Sequence, residues 1–141
     1  LLKDKETKQS FWVFNTHLDH QGEIARTKGI ELILSKIKAL NTKNYPVVLL
    51  GDFNSEPNEE RIINLKKLMI DSQDISEQKP FGPSGTFNAF KHNEAVTKRI
   101  DYIFLSKGNP FKVNKYAVLS DSKDLRYPSD HLPVYVELSF N

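Results

Sequence analysis

Four consecutive apolar residues, Val47-Val48-Leu49-Leu50, run into Gly51-Asp52-Phe53-Asn54, and this stretch narrows the architecture more than any other. Successive side chains of a strand point to opposite faces, so a strand apolar at every position must be covered on both sides. Phe11-Trp12-Val13-Phe14 has the same character and turns polar at Asn15-Thr16-His17. Between the two runs, Ile30, Ile33, Leu34, Ile37 and Leu40 fall at helical spacing with Glu23, Arg26, Lys28, Glu31, Lys36 and Lys38 interleaved. That pattern predicts an amphipathic helix over about 22–40, stopped by Asn41 to Pro46. Strand, helix and strand make a βαβ unit, and the expected class is α/β.

Downstream, Ser55, Pro57 and Glu59-Glu60 open a second predicted helix that ends near Ile70. Asp71 to Ser84 contains Pro80, Gly82 and Pro83 without any period and is expected as a long surface loop. Strands are expected at Thr86 to Asn88, Arg99 to Leu105, Lys112 to Val118 and Leu132 to Leu138. At the other end, Leu1 to Phe11 looks like a strand end, a polar turn and a second strand, so the sequence is expected to begin inside a larger domain. Its 141 residues suffice for one core. The net charge of +2 excludes a strongly basic nucleic-acid arm, and the absence of cysteine excludes disulfides and thiolate zinc sites. No apolar run approaches the roughly 20 residues of a membrane helix, which fits a soluble globular protein of open compartment.

Polar groups gather at the ends of the buried strands. Asp52 and Asn54 leave one strand two positions apart and share a direction, either as a two-pronged polar site or as an Asx turn capping the next helix. That helix start would also offer free N–H groups to an anion. His17 leaves its strand in the same sense, with His20 after it; each is a site histidine or a solvated one. Asp101 lies inside the apolar run Ile100 to Leu105, where a carboxylate needs a partner: Arg99 on the strand edge, or a histidine such as His131 of Ser129-Asp130-His131. Together, His17, Asp52, Asn54, Asp101, Asp130 and His131 are the inventory of a hydrolase that activates water with a hard metal, and magnesium fits such a sparse oxygen site better than zinc.

The strings Asn15-Thr16-His17-Leu18-Asp19-His20, Gly51-Asp52-Phe53-Asn54-Ser55, Arg99-Ile100-Asp101-Tyr102-Ile103 and Pro128-Ser129-Asp130-His131-Leu132-Pro133 resemble, in order and approximate spacing, those of the endonuclease/exonuclease/phosphatase superfamily. The resemblance implies a metal-dependent phosphoesterase using Mg2+, or Mn2+ in its place, on a four-layer α/β sandwich. By motif, Asp52 and Asn54 position the attacking water and a phosphate oxygen, His17 contacts the phosphate, Asp101 orients His131, and Asp130 is the carboxylate near the metal. Asn15 is expected to help hold the substrate. Asn88 either joins a substrate-facing wall with Thr86, Phe87 and Phe90 or belongs to a core strand. Only the C-terminal half of the domain is matched, one mixed sheet with helices on its outer face; the N-terminal half, with its metal-binding glutamate, is absent. The other sheet face would then meet a sheet from that half, so the chain is expected to need it or to self-associate. A phosphate-ester substrate follows, possibly a nucleic acid in a nuclease-like action, with a lipid or inositol phosphate phosphatase, a sphingomyelinase-like enzyme and an inactive binding module as alternatives. Lys91, His92, Lys98 and Arg99 form a phosphate-facing patch or a solvated one.

Overall fold

The computed structural model describes residues 1–108 and 110–140. The elements are β1 (Leu2–Lys3), β2 (Ser10–His17), α1 (Glu23–Leu40), β3 (Val47–Asp52), α2 (Glu60–Leu68), β4 (Met69–Asp71), β5 (Asp101–Ser106), β6 (Phe111–Val118) and β7 (Val134–Phe140). The two continuous apolar runs pair as parallel strands, β2 with β3, and β5 adds antiparallel to β3. The order β1-β2-β3-β5-β4 makes one mixed sheet, and β6-β7 forms a separate antiparallel pair. This is the expected α/β class.

One sheet face, with Trp12, Phe14, Val47, Leu49 and Phe104, packs under Ile30, Ile33, Leu34 and Ile37 of α1 and Ile62 and Leu65 of α2. Both helices therefore lie on the same outer face. The opposite face carries Phe11, Val13, Val48 and Leu105 and meets Phe111, Val113, Val136, Leu138 and Phe140 of the β6-β7 pair. Phe11 sets its edge against the Phe111 ring at 5.6 Å. The second face is thus partly covered by this chain itself, which corrects the expectation that it waits wholly on a sheet from elsewhere. The two strands that do this were anticipated individually; that they leave the main sheet was not.

Three local readings also change. The second helix begins at Glu60, at the far end of the predicted start, and stops at Leu68, short of Ile70, because Met69 and Ile70 pair with Ser106 and Leu105 as the edge strand β4. The segment after Asp71 is not wholly a surface loop: Asp71 and Ser72 are buried, and both oxygens of Asp71 take hydrogen bonds from the Arg99 guanidinium at 2.7 and 2.9 Å. Thr86 to Asn88 forms no strand, only isolated bridges from Phe87 to Lys98 and to His131.

At the polar end of the sheet, Gly51 has φ +132°, and a Cβ there would stand 1.9 Å from the Thr16 carbonyl oxygen. Only glycine lets β3 approach β2 so closely just before Asp52.

Candidate active site

Strand register brings the first three groups together. His17 of β2 is opposite Asp52 of β3, and Asp52 is opposite Asp101 of β5. Directly paired residues share a face, so all three point away from the helices. Phe53, the next residue, points the other way and is completely buried in the helix-side core. Leu50 and Ile103 precede this row on the same face and line, with Asp101, His131, Leu132, Pro133 and Val134, a cavity of about 390 Å³.

His131 arrives from the segment before β7. Its Nδ1 is 2.8 Å from Asp101 Oδ2, and its Nε2 faces Asp52 Oδ2 at 3.8 Å. A carboxylate oxygen only accepts, so the contact makes Nδ1 the protonated nitrogen and leaves Nε2 toward Asp52. Of the two partners considered for Asp101, the histidine is the one found. Arg99 turns away to Asp71 and stacks on Tyr102 at 4.4 Å. His17 Nε2 lies 3.3 Å from Asp52 Oδ2, with three-quarters of its side chain exposed.

Asp52 and Asn54 do form the Asx turn: the Asn54 amide donates to Asp52 Oδ1 at 2.7 Å, and Asn54 sits at φ 45°. The Asn54 side chain also donates to Asp52 Oδ2 at 3.2 Å and to the Leu18 carbonyl at 2.8 Å, linking the exits of β3 and β2. The pair caps no helix, since α2 starts only at Glu60. The helix terminus is therefore not the anion site anticipated after Asn54. Burial pushes the Asp52 carboxyl above its ordinary value; the Asn54 amide opposes this, the Asp101 charge adds to it, and the two histidines pull it back.

Residues 8–131 match the model of the Endonuclease/Exonuclease/phosphatase family. The chain belongs to this family. It is 38% identical, over 99% of its length and 52% of the other chain, to a solved endonuclease/exonuclease/phosphatase family protein from Bacteroides thetaiotaomicron, with a TM-score of 0.89. A mannosyl-6-phosphatase from the same organism is also 38% identical, over 98% of this chain and 54% of that one, with a TM-score of 0.86. Nocturnin from Rattus norvegicus is 25% identical over 99% of this chain. The chain spans 36% of that curated relative and about half of the solved structures. Members of the family are hydrolases acting on phosphoester bonds, in general with a divalent metal.

The donor set does not make a magnesium site by itself. Asp52, Asp101 and His131 have ligand atoms within 4.8 Å of one another. Yet Asp101 Oδ2 already accepts from Thr86 and His131, and Asp52 Oδ1 from Asn54. Magnesium demands near-octahedral oxygen ligands, and one of these three groups is an imidazole. Asp130 is not one of the three; its Oδ1 faces Ser129 Oγ at 3.4 Å, and its main-chain carbonyl accepts from the Asn88 and Ala89 amides.

Of the two substrate-binding candidates, Asn15 is exposed on the same face as His17 and Asp52, while Asn88 is buried. The Asn88 amide group donates to Ser129 O at 3.0 Å, and its side-chain oxygen accepts from Phe90 N at 2.6 Å, so it braces the turn that delivers His131. Thr86, which the sequence offered only as part of a substrate-facing wall or of a core strand, is the hydroxyl that holds Asp101. Completely buried, it donates from Oγ1 to Asp101 Oδ2 at 2.6 Å and accepts from the Ile100 and Asp101 amides at 3.1 and 3.2 Å. The available signal was a β-branched hydroxyl at the start of an otherwise apolar Thr-Phe pair, next to Gly85.

Proposed function

We propose that the chain carries the acid–base side chains of a phosphoester hydrolase. The observation that carries this reading is the single imidazole suspended between two carboxylates, Asp101 on Nδ1 and Asp52 facing Nε2. Asp52 accepts a proton from water as its oxygen attacks phosphorus. The bond from phosphorus to the ester oxygen breaks, and the departing oxygen takes a proton from Nε2 of His131 in its imidazolium form, which keeps its Nδ1 proton on Asp101 and is neutral afterwards. His17, exposed beside Asp52, meets a phosphate oxygen, as does Asn15. Asn54 holds the Asp52 carboxylate in place. A raised Asp52 pKa suits a base that must accept a proton near neutral pH. Magnesium, or manganese in its place, is the expected cation; Asp52, Asp101 and His131 alone do not supply its ligands.

The substrate proposed is a phosphomonoester on a sugar, on the strength of the 38% identity to the mannosyl-6-phosphatase over nearly the whole chain. A nuclease-like action on a phosphodiester is the second reading, favoured by Lys98, which has no ion-pair partner among the described residues and lies one ring away from His131. In the full-length protein, glucose 6-phosphate, p-nitrophenyl phosphate, bis(p-nitrophenyl) phosphate and single-stranded DNA separate the two. Asp52→Asn, Asp101→Asn and His131→Ala should each lower turnover of the preferred substrate by ~10² or more with little loss of folding. Near-parental rates for all three would refute the assignment.

A further inference from the structure

Phe87 is bridged antiparallel to Lys98 on one side and to His131 on the other. Residues directly opposed in antiparallel segments turn their side chains to the same face. Lys98, Phe87 and His131 therefore form a row. The Phe87 ring meets the His131 ring edge-on at 5.1 Å, and the Lys98 ammonium stands 5.4 Å from the centre of the same phenyl ring.

The row is held rigidly to the candidate active site. The Lys98 carbonyl accepts from the Thr86 and Phe87 amides at 2.8 and 3.0 Å, and Thr86 is the residue bonded to Asp101. Gly85 allows this approach, since a Cβ there would lie 2.4 Å from Lys98 N. Lys98 is exposed, and its position over the Phe87 ring is what sets it apart from the other lysines that hold no ion pair among the described residues. Lys66, Lys91, Lys112 and Lys115 each have a carboxylate within ion-pair distance, whereas among the described residues none pairs with Lys98. An ammonium resting on a ring keeps N–H groups free for an anion. Beside it, Phe87, Asn88, Lys91, Glu94, Thr97 and Lys98 line a recess of about 220 Å³, in which Glu94 is taken up by Lys91 at 3.1 Å.

Resting on the phosphoesterase reading above, we propose that Lys98 is a specificity-determining residue that binds a second anionic group of the substrate, next to the phosphate under attack. The width of one phenyl ring separates it from His131, so it reaches a neighbouring group and not the phosphate that His131 meets. The site thereby selects phosphoesters that carry another phosphate over those that carry none.

The test is equilibrium binding by calorimetry in the full-length protein, with EDTA present so that ligand is not consumed. Two matched pairs are compared: glucose 6-phosphate with glucose 1,6-bisphosphate, and thymidine 5′-phosphate with thymidine 3′,5′-bisphosphate. The parent should prefer the bisphosphate of at least one pair by about tenfold, and the pair that shows it distinguishes a sugar from a nucleotide source. Lys98→Gln should bring that preference close to one and flatten its salt dependence, while Lys107→Gln, removing a charge just beyond the far end of β5, should leave it. An unchanged preference in Lys98→Gln, equal losses in both variants, or no preference in the parent would overturn the proposal. Turnover of p-nitrophenyl phosphate tests the phosphoesterase reading separately, so either can fail alone.

Discussion

Thr86→Val replaces a hydroxyl by a methyl of similar shape, so its consequences follow from hydrogen bonds and not from a cavity. Three contacts end at once: the donation to Asp101 Oδ2 at 2.6 Å and the acceptance from the amides of Ile100 and Asp101. The donation to a carboxylate contributes about 1.5–3 kcal/mol, and an amide left unpaired at a buried site costs about 1–3 kcal/mol. Thr86 is fully buried, so water does not readily replace the hydroxyl. A net loss of about 3 kcal/mol is expected, which lowers Tm by about 6–12 °C in a domain of the relatives' size. Asp101 then keeps only His131 on Oδ2. The imidazole loses its fixed bearing toward Asp52, and turnover should fall about tenfold or more. Thr86→Ser retains the hydroxyl and deletes one methyl, a loss of about 1 kcal/mol. It should therefore keep most of the activity. Urea unfolding and steady-state turnover of the full-length protein measure both effects. If Val and Ser variants are alike in stability and in rate, the hydroxyl does not hold the dyad and the argument fails.

Two further predictions concern charges around the site. Arg99→Met strands the Asp71 carboxylate, whose side chain is wholly buried, and should cost about 3–5 kcal/mol in urea unfolding, with Lys66 at 3.7 Å drawing the loss toward the lower end; Arg99→Met combined with Asp71→Asn should cost less than Arg99→Met alone. The Asp52 carboxyl is raised above 3.8 in the fold, so folding favours its protonated form and its charge destabilises the fold at neutral pH. Asp52→Asn should raise Tm at pH 7, the gain shrinking as pH falls through the raised value and vanishing below the ordinary one; a gain that persists at pH 3 would contradict this sign.

The strand-helix-strand core and most of the site were legible in the chain because both depend on short-range patterns. Alternation decides which way a residue leaves a strand, so Asp52 and Phe53 had to face opposite ways whatever the fold. A carboxylate at 101 inside an apolar run had to find a partner, for desolvation of a lone charge costs too much. Which partner it found was a tertiary matter. Residues 101 and 131 are far apart in sequence, and the segment from Thr86 to Ala89, bonded to both, brings the imidazole to the carboxylate. The same holds for Thr86, whose hydroxyl has no meaning until its segment is laid across the start of β5, and for Asn88, whose amide goes to Ser129 and not to a ligand. Met69 and Ile70 suit a helix by local propensity, but the open edge of β5 offers them hydrogen bonds that a frayed helix end does not. Apolar runs establish that both faces of the sheet must be covered; they carry no record of what covers them. Here β6 and β7 separate from the main sheet and fold over Phe11 and Val48, a choice made by the fit of side chains that meet only after the chain has folded.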